Sequence, residues 1–363
     1  MATEGIGTVP TNTRVPGVFF DFDTRTGVRS SGVAQKNVIV VGLLGDGEAT
    51  ANTVYDIVEE SEAATLFGEE SVIHLAIRAA MRQYSFGNYH AIACASDGKA
   101  DIEAALDVLK RSTYNIIAFD FLSKDAINAL KEHIDTVTDA INQQSVIAVL
   151  AKQSAERDVI TALAQIVNHN RIVLVGYKNI DDVSRIEVSA AVAANILSQP
   201  DPSLSFDGDI LVGINGITPN DNWSRGEQDY LLSKGVTPVE RLSGAQTAIV
   251  RLISTQTDGA SKISPDMWIR TLDYVRERMV IVFKENFVKT KLTNRIPSAV
   301  RSVFLGEAKS IEAAGIIKNV DFWKDKLTVV KSNDNPGFLN ARIPADCVLG
   351  LHGVIGHVEL RLS

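Results

Sequence analysis

Residues 115–150 read NIIAFDFLSKDAINALKEHIDTVTDAINQQSVIAVL, and their pattern decides the fold. Asn115–Phe121 and Ser145–Leu150 are short apolar runs of the kind that form strands buried on both faces. Between them Ile127, Leu130, Ile134, Val137 and Ile141 recur at helical spacing, with Ser123 placed to cap the helix start. Two further strand candidates, Arg171–Gly176 and Asp209–Gly213, continue the series, the starts lying roughly thirty residues apart as in βαβ units. The helices between them are expected to bury Val159, Leu163 and Ile166, then Val183, Ile186, Ala190, Ala193 and Leu197. Apolar strands alternating with amphipathic helices require a parallel or mixed central sheet with helices on both faces.

Upstream, Asn37–Leu44 and Ala91–Ala95 are further buried strands, separated by a helix whose stripe is Ile73, Ala76, Ile77, Ala80, Met81 and Tyr84. Downstream, Ile217–Ser264 is polar and broken by prolines and glycines, with a strand-like piece near Ala248–Ile253. A second, smaller α+β unit is expected from Ser264. There Ser264 and Pro265 would start a helix carrying Trp268, Leu272, Val275, Met279 and Val282. A helix from Pro297 to Gly315 has Val300, Val303, Phe304 and Ile311 on its inner stripe, and strands at Lys326–Lys331 and Phe338–Ile343 follow. The expected division is an arm over 1–36, an α/β domain over 37–263, an α+β domain over 264–346 and a second arm over 347–363.

Both arms have strand periodicity without a local partner. Val18, Phe20 and Phe22 alternate with Phe19, Asp21 and Asp23; Val354, Val358, Leu360 and Leu362 alternate with His357, Glu359 and Arg361. A lone strand gains its stability from a sheet partner. That partner is either this subunit or another.

The chain has 363 residues, 45% of them hydrophobic and 22% charged, within the range of folded globular domains. A formal charge of −8 argues against nonspecific nucleic-acid binding, and no stretch approaches the length of a membrane span. The opening MATEGIGTVPTNTR has neither a charged start nor an apolar core, so no secretory signal is expected. Cys94 and Cys347 lie outside any metal-type spacing and read as buried reduced thiols.

No catalytic constellation emerges. The glycines of GLLGDG, Gly42, Gly45 and Gly47, lack the spacing of a dinucleotide turn and the lysine of a phosphate loop. The six histidines form no zinc-type pair, and no nucleophile elbow is present. No catalytic, cofactor or metal residues are expected. A nucleotide- or metabolite-binding α/β enzyme is the alternative that would need such a site.

TNTRVPGVFFDFDT, Thr11–Thr24, resembles the amino-terminal arm of contractile phage tail sheath proteins, especially those of Mu-like phages. Phe19 stands where the family's RVPGVY-like string has tyrosine. SEAATLFGEESVIHLAIRAAM resembles the family's segment in which an FG turn, here Phe67–Gly68, precedes a helix, here Val72–Met81. The resemblance implies a non-enzymatic subunit of a helical polymer of hexameric rings around a tail tube, contracting to drive the tube through an envelope. It implies arms that add strands to neighbouring subunits, with Arg14, Val15, Pro16, Gly17, Val18, Phe20, Phe22, Val354, Val358, Leu360 and Leu362 as contact candidates. The implied partners are other copies, the tube protein, and baseplate and terminator proteins, with neither nucleic acid nor membrane. The implied location is a virion or phage-tail-like particle, assembled from chains made in a bacterial cytoplasm. Another tail or baseplate protein is a further alternative. Lys284, Lys289, Lys291, Arg295 and Arg301 form a basic run in an acidic chain, a candidate tube-facing surface or a plain solvated face.

Overall fold

The computed structural model describes residues 37–257, 268–348, 350 and 352. Its larger part begins with β1 (Asn37–Leu43), β2 (Val54–Ile57), α1 (Glu60–Phe67), α2 (Val72–Gln83), β3 (Asn88–Cys94) and α3 (Lys99–Leu109). The regular repeat follows as β4 (Ile116–Phe119), α4 (Lys124–Thr138), β5 (Ile147–Gln153), α5 (Arg157–Val167), β6 (Ile172–Tyr177) and α6 (Arg185–Ser198). It closes with β7 (Ile210–Asn215), α7 (Arg225–Ser233), β8 (Thr237–Arg241) and β9 (Gln246–Ile249).

These strands form one nine-stranded mixed sheet in the order β2-β3-β1-β4-β5-β6-β8-β9-β7. The run from β3 to β8 is parallel, as the apolar strands require. β2 at one edge, and β9 and β7 at the other, run antiparallel to their neighbours. Period two divides β1 between two cores. Val38 and Val40 pack with α1, α2 and α6, while Ile39 and Val41 pack with α3, α4, α5 and α7 on the opposite face.

The carboxy-terminal part has α8 (Ile269–Phe287), α9 (Ile296–Ala313), β10 (Ile317–Lys318), α10 (Val320–Trp323), β11 (Thr328–Lys331), β12 (Leu339–Arg342) and β13 (Asp346–Cys347). Its own core joins Met279 and Val282 of α8 to Val300, Phe304 and Ile311 of α9 and to Trp323, Leu327 and Val329. Pro297 lies in the first turn of α9 and Gly315, at φ 77°, follows its end. Ser264 and Pro265 lie outside the described residues; the described helix begins at Ile269.

The structure corrects several expectations. On α5 the buried stripe is Ile160, Ala164 and Val167, one residue along from the expected one; Val159 and Ile166 face outward and Leu163 is half-buried. Both stripes are apolar, and the helix turns the one with the small Ala164 toward the sheet, which permits close approach. α4 stops at Thr138 because the Asp139 carboxylate accepts from the Ile141 and Asn142 amides, leaving Ile141 exposed. α6 is buried all round from Ile186 to Leu197, since α2 covers the side that the sheet does not. The polar stretch from Ile217 contributes α7, β8 and β9, and β9 overlaps the strand-like piece expected near Ala248–Ile253. β8 and β9 insert between β6 and β7, so β7 does not continue the βαβ series beside β6 but is an edge strand antiparallel to β9. Both cysteines are buried and free, and burial pushes each thiol up to about 12.

Candidate assembly surfaces

The joint between the two parts is ionic and buried. Asp273, on the second turn of α8, accepts a two-pronged bond from Arg171 at the entry to β6, at 2.7 and 2.9 Å. Its Oδ1 also accepts from Arg276 at 2.9 Å. Asp273 is fully buried, and Arg171 and Arg276 nearly so. Burial lowers the Arg276 pKa against the opposing pull of Asp273. Alongside, the Ser145 hydroxyl, two residues before β5, donates to Glu277 at 2.6 Å, and Ile269 joins the core beneath α6. α8 is therefore rooted in the sheet domain.

The far end of α8 carries the basic run. Lys284, Lys289, Lys291 and Arg295 are exposed there, with Lys289 at φ 63° in the connection to α9. Lys331 of β11 reaches the same connection through a 2.8 Å bond to Asn294. Arg301 behaves differently: it is half-buried and donates to the carbonyls of Leu327 and Lys324, both at 2.8 Å, which fixes the approach to β11.

β11 and β12 form a two-stranded antiparallel hairpin, and no third strand pairs with either among the described residues. Val330 is 55% exposed on β11, whereas Val329 faces the core. β13 pairs with β10 in a second short sheet. Beyond it the chain is held to the sheet domain: His352 Nδ1 and Asp207 Oδ2 lie 2.5 Å apart, and Gly350 is so close to Ser205 that an added β-carbon would stand 2.9 Å from its Cβ. The arm candidates Arg14, Val15, Pro16, Gly17, Val18, Phe20, Phe22, Val354, Val358, Leu360 and Leu362 lie outside the described residues.

The glycine turn after β1 has a structural use. A β-carbon on Gly45 would stand 1.9 Å from the Phe67 carbonyl oxygen, and one on Gly47 2.3 Å from that of Leu66. The Glu48 and Ala49 amides donate to Thr65 and Leu66. A phosphate cradle presents free N–H donors; this turn packs against carbonyls at the end of α1 and spends its amides on them. Phe67 is fully buried and Gly68, at φ 94°, ends α1, so the FG turn and the glycine turn form one packed corner. Among the described residues no three potential metal ligands cluster, and no helix is long and apolar enough to cross a membrane.

Two family models match the chain: the phage tail sheath protein central domain over residues 95–255, and the phage tail sheath C-terminal domain over residues 266–361. The chain belongs to the phage tail sheath protein family. It is a structural subunit of a contractile tail sheath and not an enzyme. Similar solved structures agree with this sheath chain in fold. The sheath tail protein of Desulfitobacterium hafniense has a TM-score of 0.61 at 13% identity, over 87% of this chain and 93% of that one. The sheath tail protein of Listeria innocua has a TM-score of 0.64 at 12% identity, covering 89% and 93%. The helical sheath of the anti-feeding prophage in its contracted state has a TM-score of 0.67 at 12% identity, covering 96% and 99%. Among curated proteins none matches at a significant level.

Sequence reasoning singled out the basic run, and its terminal strand candidates lie outside the described residues; it missed the ionic joint. Its three charges come from positions 102 and three residues apart, and no periodicity links them.

Proposed function

We propose that copies of this sheath subunit polymerise around a tail tube by exchanging terminal strands, as a helical stack of hexameric rings. The observation that carries the reading is the β11–β12 hairpin, a two-strand sheet without a third strand among the described residues, in a chain whose two ends have strand periodicity. Strand addition to such an edge supplies main-chain hydrogen bonds, and alternate side chains supply specificity. Val15, Val18, Phe20 and Phe22 on one arm, with Val354, Val358, Leu360 and Leu362 on the other, have the apolar alternation this needs. In this reading Pro16 and Gly17 start the strand of the first arm, and Arg14 is a further contact candidate.

Contraction is repacking between copies: rigid bodies rotate and slide while their arms stay paired, and new interfaces release the free energy that drives the tube through a target envelope. The anti-feeding prophage sheath is in a contracted state, as is a similar sheath complex of an extracellular contractile injection system, and two further similar structures are baseplates of that prophage, which supports self-assembly and baseplate contacts in a phage tail or phage-tail-like particle. The tube and a terminator protein complete the set of partners; nucleic acid and membrane are not among them.

Deleting residues 1–24 tests the reading. Electron microscopy is expected to find long striated tubes from the full chain and dispersed particles from the deletion; unchanged tubes would refute strand exchange. The exposed Lys289 and Lys291 face the tube in this reading. Reversing both to glutamate is expected to abolish tube-dependent assembly yet leave self-assembly intact, and co-sedimentation with tubes checks this. Arg301, spent on its own carbonyls, contributes little to that contact.

A further inference from the structure

The nine-stranded sheet ends in β7, and an edge strand is a template for pairing with another chain. β7 has the features of a hazardous one: Ile210 is 39% exposed and Val212 47% exposed. Two of its outward backbone groups are nevertheless occupied. The side-chain amide of Gln83, the last residue of α2, donates through Nε2 to the Ile210 carbonyl at 3.1 Å and accepts through Oε1 from the Val212 N–H at 2.6 Å. Bonding the carbonyl of one residue and the N–H two residues on is what the N–H and C=O of one residue in a parallel neighbour strand do. The orientation of the amide is fixed, because the flipped form would oppose donor to donor and acceptor to acceptor. Gln83 Nε2 also donates to buried Asn195 Oδ1 at 3.1 Å, and Asn195 donates to Asp209 at 2.9 Å, so the amide is held on α6 as well. A register irregularity within β7 and Gly213 at φ 81° bend the strand further from the extended edge a partner needs.

We infer that Gln83 is an edge guard: its amide imitates a strand and closes β7 to strand addition by a second copy of this chain. The opposite edge, β2, is only four residues long. No side chain bonds the backbone of β11 or β12 among the described residues, so strand addition is directed there. This direction of traffic rests on the strand-exchange reading above; the closure of β7 does not.

Gln83→Met, similar in shape and unable to bond either group, tests the inference in the full chain. Hydrogen exchange over residues 209–215 is expected to quicken about five- to tenfold in dispersed subunits, the loss of roughly one net hydrogen bond. Irregular, non-tubular sediment is expected to rise several-fold and to grow with protein concentration. Gln83→Glu, which keeps the acceptor and adds a repelling charge, is expected to stay dispersed like the parent. If Gln83→Met matches the parent in both exchange and sedimentation, the inference fails. It fails also, whatever the variants do, if residues 209–215 of the parent become protected on forming tubes. Neither outcome touches the arm-deletion result, so the two readings stand or fall separately.

Discussion

Asp273→Ala is expected to lower unfolding stability by about 3–5 kcal/mol, because it strands two buried guanidiniums rather than one. Arg171 and Arg276 both donate to this carboxylate and have little access to water once it is gone. Arg276 has long contacts, 3.4–3.5 Å, to Ser145 Oγ and the carbonyls of Thr138 and Gln144. A urea midpoint that falls with an unchanged slope would report the loss. Replacing all three charges with apolar residues of similar volume is expected to recover much of it, since a paired buried charge contributes little net stability. A midpoint within experimental error of the parent for Asp273→Ala would mean that water enters the joint.

Gly45→Ala is expected to cost about 3 kcal/mol or more, at the upper end for a single methyl group, because the clash is with the Phe67 backbone and a β-carbon rather than with the end of a flexible side chain. The added carbon would meet the Phe67 carbonyl oxygen at 1.9 Å and Ser71 Cβ at 2.9 Å. Neither side yields easily: β1 is paired on both edges, and the end of α1 is bonded to Glu48 and Ala49. Gly306→Ala on α9 is the control, with nothing within 4 Å of the new carbon. It is expected to raise stability by up to about 1 kcal/mol, as alanine does for glycine inside a helix. Thermal melts of the two variants should move in opposite directions.

How much was legible follows from what each element is made of. β1, β4, β5 and β6 are apolar on both faces and lie between helix patterns, so burial and period announced them to within a few residues. α2, α4 and α9 have one dominant stripe, and the ends at Ser123, Pro297 and Gly315 were clear from residue type. α5 does not: with two apolar stripes, only the neighbour it packs on decides which turns inward. β8 reads Thr-Pro-Val-Glu-Arg, and its proline and charges hide a strand whose place is set by β6 and β9. α1, α7 and β2 are short and polar enough to pass for connection. The ionic joint and the Gln83 cap were invisible for a different reason. Each joins side chains that are ordinary in their own segments and meaningful only across the fold.

The root of α8 has a mechanical side. The helix has 19 residues and is therefore about 28 Å long at 1.5 Å per residue, fixed near one end by Asp273 and carrying Lys284 near the other. From Asp273 to the last residue, Phe287, the arm is about 21 Å, so each degree of tilt at the root swings the tip by roughly 0.4 Å. A lever is only as accurate as its fulcrum is stiff, and here the fulcrum is two arginines gripping one carboxylate.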